Sequence, residues 1–119
     1  MNKSFNERRK HVRIYRNFIM TYHEKGKSSA KHKVSQVKNV SKGGMSFTST
    51  HPLDQGTVVL IDLKVPFVAH PIHLEGIVLE CQEKISEMIY HVRLQFHEIS
   101  AHVLTVLEKI ESYAGGKEG

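Results

Sequence analysis

The sequence predicts an all-β domain: a six-stranded antiparallel β-barrel with a C-terminal α-helix. Three observations predict it. Apolar and polar residues alternate at period two over about six short segments. The stretches between those segments are short and rich in Gly, Pro, Asp and Ser, too brief for the crossovers that a parallel sheet needs. Only the last segment changes to three- and four-residue spacing, the period of an amphipathic helix. Short strands followed by a single helix close most simply as a small barrel with the helix packed on it.

The elements follow in order. In Ile14 to Tyr22, the positions Ile14, Arg16, Phe18, Met20 and Tyr22 share one parity, and all but Arg16 are apolar. Glu24 to Lys33 is polar, contains Gly26 and Ser28-Ser29, and reads as a loop. Gly26-Lys27-Ser28 has the form of a P-loop's end, but Thr21 stands where the first glycine is required and no helix pattern follows. Val34 to Val40 is the second strand. Gly43-Gly44 breaks the chain, and Met45 and Phe47 resume an apolar face. His51 to Gly56 is a turn. Thr57 to Val65 is the strongest strand, with Val59, Ile61, Leu63 and Val65 on one side. Pro66 and Pro71 bracket a loop, and His73 to Gln82 follows with Gly76 as a bulge or bend. Glu83 to Glu87 is a turn, after which Tyr90, Val92, Leu94 and Phe96 alternate with His91, Arg93 and Gln95. The helix spans 101–113, with Val103, Leu104, Val106, Leu107, Ile110 and Tyr113 recurring, Ser100 as N-cap and Gly115 as stop. Its Val103/Leu107/Ile110 stripe should pack on the barrel and leave Glu108 and Glu111 in solvent, and residues 116–119 should fray.

The 119 residues amount to one domain, and 39% hydrophobic with 24% charged residues is an ordinary globular balance. A lone cysteine, Cys81, excludes an internal disulfide and fits a reducing compartment. The first residues lack the apolar core of a signal peptide. No apolar run approaches the ~20 residues of a membrane-spanning helix. The expected location is therefore the cytoplasm. Net charge is +5, but residues 1–42 hold 12 Lys/Arg against Glu7 and Glu24 alone, a local +10, while the remainder carries −5. That asymmetry points to an anionic partner for the N-terminal third. Residues 1–13 read as a flexible basic arm and 14–114 as the barrel with its helix.

Two stretches carry the chemistry. Arg9 and Arg13 lie four apart, so both share one face of a strand, roughly 13 Å apart at ~3.3 Å per residue, or one face of a helix. Their guanidinium planes can bind phosphate bidentately, stack on a base, or donate to the O6 and N7 edge of guanine. Asn39 and Ser41 lie two apart and project to one side of an extended backbone. Both donate and accept hydrogen bonds, which suits a purine edge. Gly44 would permit a positive φ and the close approach of a flat ring. Alone, this second stretch also fits an Asx turn ending a strand.

Together, Arg9-Lys10-His11-Val12-Arg13 and Asn39-Val40-Ser41-Lys42-Gly43-Gly44 resemble the Arg-x-x-x-Arg and Asp/Asn-x-Ser-x-x-Gly pair of the PilZ domain, the bacterial receptor for cyclic di-GMP. The resemblance runs over about residues 7 to 113 and includes Gly56-Thr57-Val58-Val59-Leu60, Gly76-Ile77-Val78 and Tyr90-His91-Val92-Arg93-Leu94-Gln95-Phe96. It implies a ligand on the barrel's outer surface, clasped by the arm. Arg9 and Arg13 would take guanine and phosphate, and Asn39, Ser41, Gly43 and Gly44 the other edge. Arg8, directly ahead of the motif, resembles the arginine of members that bind a stacked pair of ligand molecules. Arg93 departs from the family's frequent glycine and either adds a cation or crowds the surface. The implied function is a cyclic di-GMP receptor or adaptor that changes conformation and signals to an unidentified protein effector, in a process such as motility or biofilm formation.

Other classes are weighed against this one. His70, His73, His91 and His97 have no cysteine pair to complete a zinc site, so neither a metal nor a cofactor is expected. No catalytic motif accompanies Cys81, so no enzyme is expected. The rivals are a PilZ-like protein-interaction module that binds no nucleotide, and a basic barrel holding RNA or DNA non-specifically. The nucleic-acid reading is disfavoured because the aromatics are mostly Phe and Tyr at inward parity and build no evident stacking platform.

Overall fold

The computed structural model describes residues 17–27, 31–34 and 36–115, the last three without side-chain detail. Its strands are β1 (Ile19–Glu24), β2 (His32–Lys33), β3 (Gln36–Val40), β4 (Gly44–Ser49), β5 (Val58–Lys64), β6 (Ile72–Ile85) and β7 (Ile89–Phe96), and its helix is α1 (Ala101–Gly115). They form one antiparallel sheet in the order β2-β1-β5-β6-β7-β4-β3. The two edge strands, β2 and β3, are consecutive in the chain. Three peptide units join Lys33 to Gln36, so their Cα atoms lie within about 11 Å, and the sheet must curl to meet that limit.

This accounts for seven strands where six were expected. The expected second strand, 34–40, is represented by two described strands, β2 and β3. β2 pairs with β1, continued by Val34 N–H donating to the Met20 carbonyl at 3.0 Å, and β3 pairs with β4.

The alternation in the sequence sets which face turns inward. Val59, Ile61, Leu63 and Val65 are all buried, opposite Met20 and Tyr22 on one side and Ile72 and Leu74 on the other. Phe47 on β4 pairs with Val92 on β7, and both are fully buried. Tyr22, from the far side of the sheet order, packs on Phe47 with ring centroids 5.5 Å apart and bonds its hydroxyl to Ser49 Oγ at 2.9 Å. The two sides of the sheet thus meet across a shared core. Burial raises the Tyr22 pKa, and the Ser49 hydrogen bond offsets part of that rise.

Ser100 caps α1 as expected, its Oγ accepting the Val103 N–H at 3.2 Å. Val103, Val106, Leu107 and Ile110 are buried where the helix meets β3 and β6, whereas Leu104 turns outward. Ile14, Arg16 and the side chain of Tyr113 lie outside the described residues.

Two expectations are corrected in β6. The strand runs through Ile85, so the expected 83–87 turn contracts to residues 86–88, with Glu87 at a φ of 58°. Gly76 sits in regular register between Val59 and Phe96 and makes no bulge. The register shifts instead between Val78 and Glu80, at Leu79, and again between Glu83 and Ile85. A β-bulge re-aims side chains, and Leu79 is left 38% exposed.

Candidate functional site

The β3–β4 connection is a tight turn. Ser41 N–H donates to the Gly44 carbonyl at 2.9 Å, leaving Lys42 and Gly43 at the tip. Ser41 Oγ accepts the Gly43 N–H and donates to the Gly44 carbonyl, both at 3.3 Å. The turn is fastened to β7 by Phe96 N–H donating to the Gly43 carbonyl at 2.9 Å.

Neither Gly43 nor Gly44 has a positive φ, which among described glycines belongs to Gly26 and Gly56. The expectation for Gly44 is therefore corrected. A Cβ there would lie 2.1 Å from the Leu94 carbonyl oxygen. Glycine at 44 thus lets β4 approach the β7 backbone, and the close contact is strand on strand. Gly43 is open, with nothing within 4 Å of an added Cβ.

Strand register then lines up a row of polar side chains. Asn39 pairs with Ser46, Ser46 with Arg93, and Arg93 with Glu80. Gly44 and Gln95 form the neighbouring pair. Val40, Met45 and Leu94 have the opposite parity and are buried, so the row lies on the outer face. Between the row and the turn is a groove of about 560 Å³ bordered by Asn39, Ser41, Gly43, Gly44, Ser46 and Arg93, with Gln95 and the bulged Leu79 alongside. That volume lies in the range of small-molecule sites.

Of the eight residues expected to bind ligand, the structure brings Asn39, Ser41, Gly43, Gly44 and Arg93 to this one groove. Arg8, Arg9 and Arg13 lie outside the described residues. Ser46, Leu79 and Gln95 were missed. Gln95 shares Arg93's parity and was readable from alternation, but Ser46 needs the register and Leu79 needs the bulge.

The groove's polar atoms are largely open. Arg93 Nε donates to Glu80 Oε1 at 3.0 Å, with the arginine side chain 55% exposed. Asn39, Ser46 and Gln95 make no side-chain hydrogen bond among the described residues. His91, two residues from Arg93, has a lowered pKa, first because it is desolvated, then because Lys38, Lys84 and Arg93 repel its proton.

A second cavity, about 410 Å³, opens over β1, β5 and β6, lined by His23, Lys31, Asp62, His73, Glu75 and Glu98 among others. Several of its charges pair with one another, while His23 Nδ1 is buried without a hydrogen-bond partner among the described residues. Asp62 accepts from Lys31 and from His73 Nδ1, each at 2.5 Å, which holds its carboxyl below the usual range, the Lys31 hydrogen bond foremost. Glu75 accepts from Lys25 at 3.1 Å and lies 3.0 Å from His97 Nε2, an ion-pair contact without hydrogen-bond alignment. No cluster of three or more His, Cys, Asp or Glu suited to a metal occurs among the described residues. Cys81 is half-buried against the core, its Sγ accepting the Leu53 N–H at 3.5 Å.

The described residues thus form a curled antiparallel sheet with one helix packed against it and a polar groove on its outer face beside a glycine turn. The model of the PilZ domain matches residues 7–113, and the chain belongs to that family. PilZ domains are receptor or adaptor modules whose family ligand is cyclic di-GMP. Three solved structures are similar in fold. The Bacillus subtilis inhibitor of motility MotI/DgrA has a TM-score of 0.66 at 14% identity over 86% of this chain and 49% of its own. Escherichia coli YcgR in complex with c-di-GMP has 0.61 at 16% identity, over 78% and 38%. Apo MrkH of K. pneumonia has 0.54 at 16% identity, over 78% and 44%. The chain thus spans half or less of each of those proteins. No curated protein matches it in sequence. No described helix is long and apolar enough to cross a membrane.

Proposed function

We propose that this chain is a cyclic di-GMP receptor that works as an adaptor, signalling to a protein partner from the cytoplasm and catalysing nothing. One observation supports the reading: Asn39, Ser41, Gly43, Gly44 and Arg93 border one open groove, in which the side chains of Asn39, Ser46 and Gln95 have no hydrogen-bond partner among the described residues. Cyclic di-GMP offers two guanine edges and two phosphodiester anions. Asn39 and Ser41 meet a purine edge, and Arg93 meets phosphate or the guanine O6/N7 side.

The basic arm of residues 1–13 completes the site. Arg9 and Arg13 close over the nucleotide from outside, and Arg8 favours a stacked ligand pair. Ligand acts by population shift: it binds the arm-closed state better than the arm-open one, and the surface so built is what the partner reads. Motility is a natural process for such a receptor, given the similarity in fold to a motility inhibitor.

The test is titration calorimetry with cyclic di-GMP, which also counts ligands per chain. Heat with saturation, abolished by Arg9→Ala or Arg13→Ala without a change in melting temperature, is the expected result. No heat at high micromolar nucleotide removes the proposal.

A further inference from the structure

Glu108 and Glu111 were both expected in solvent. Glu108 is exposed, but Glu111 is half-buried, and its Oε2 accepts the Lys42 backbone N–H at 2.6 Å across 69 residues of sequence. The contact ties the last turns of α1 to the tip of the β3–β4 turn.

The turn needs such support. Two-residue hairpin connections favour primed turns, with a positive φ at one or both central residues, because their twist matches the sheet. Here neither Lys42 nor Gly43 has one. The Ser41 hydroxyl answers Gly43 N–H, and the Phe96 N–H answers the Gly43 carbonyl. The Lys42 N–H points away from these partners, and the Glu111 carboxylate is the acceptor it finds. Ser41, Gly43 and Gly44 of this turn border the groove, and Glu111, which is not among the residues lining it, bonds the same turn at Lys42.

We infer that Glu111 is a positioning residue which couples the groove to the seating of α1. The inference rests on the proposed nucleotide site and adds the route by which occupancy reaches a distant element. A ligand that fixes the turn favours the geometry in which Lys42 N–H meets Glu111. By linkage, a seated helix strengthens ligand binding by the same factor. The C-terminal part of α1 is held to the barrel by Leu107 and Ile110 and to the turn by Glu111.

The experiment pairs cyclic di-GMP titration with hydrogen exchange on the wild type, Glu111→Ala and Glu111→Gln. Glu111→Ala should weaken binding about 5-fold and speed exchange at the Lys42 amide. Nucleotide should slow exchange at residues 107–111 in the wild type but not in Glu111→Ala. Glu111→Gln keeps an acceptor oxygen and should recover most of the affinity, which loss of a merely structural group would not require. Equal affinity in wild type and Glu111→Ala, with no ligand effect on 107–111, overturns the coupling and leaves the nucleotide site standing. A wild type that binds no nucleotide overturns both.

Discussion

Two polar cavities lined by described residues on the outer face of this barrel differ in how far their charges are already answered. Over β1, β5 and β6, Lys31, Asp62 and His73 form one hydrogen-bonded set and Lys25 bonds Glu75, while His23 Nδ1 and His97 Nε2 are buried without a hydrogen-bond partner among the described residues. Over β4 and β7, Arg93 gives one N–H to Glu80, while Asn39, Ser46 and Gln95 have no side-chain partner among the described residues. A face that neutralises itself supports the fold weakly, since exposed pairs contribute little. A face with open donors and acceptors keeps hydrogen-bonding capacity for a group from outside. The number of ionisable side chains therefore misleads here, because in the busier cavity most of the charged groups already face one another.

Substitutions can break that contrast. The largest effect is expected at Gly44→Ala, where the new Cβ would collide with the Leu94 carbonyl. Urea unfolding should show a loss of ~3 kcal/mol, the upper range for overpacking, and nucleotide binding should fall with it. Gly43→Ala, one residue away in open space at ordinary φ, should change stability by less than about 0.5 kcal/mol. Equal effects at the two glycines would refute the account of the turn.

Arg93→Ala comes next. Loss of a charge-assisted hydrogen bond of ~1.5–3 kcal/mol should weaken cyclic di-GMP binding roughly 10-fold or more, with the melting temperature almost unmoved. His73→Ala in the other cavity should leave affinity unchanged. If His73→Ala weakens binding more than Arg93→Ala, the two faces have been assigned the wrong way round.

The smallest effect sharpens the other half of the comparison. Asp62 has a depressed carboxyl pKa in the folded state, caused first by Lys31. Its stabilisation is therefore present above the ordinary carboxylate pKa and is lost as pH falls through the folded value. Asp62→Asn should cost under ~1 kcal/mol at neutral pH, as expected of a partly exposed pair. The difference from wild type should shrink on acidification below about pH 4. A difference that grows toward acid would contradict the sign of the shift.

The barrel was legible because a residue's parity in a strand decides its face. Val59, Ile61, Leu63 and Val65 announce the core strand, and all four are buried. The site was legible in part. Asn39 and Ser41 flank buried Val40, so their outward direction followed from alternation. What stayed hidden depends on non-local geometry. Leu79 is aimed by a bulge, Ser46 is placed by register against β3 and β7, and Glu111 finds Lys42 only once the helix has packed. Gly44 shows a subtler failure. Its identity was readable, but the reason is the approach of a neighbouring strand, which no local pattern encodes.

The most direct test is a backbone amide NMR titration of the wild type with cyclic di-GMP. The account predicts that shifts concentrate at Asn39, Ser41, Gly43, Gly44, Ser46 and Arg93, while His23, Asp62 and His73 stay silent. Shifts centred on His23, Asp62 and His73, or none anywhere at saturating nucleotide, would contradict it.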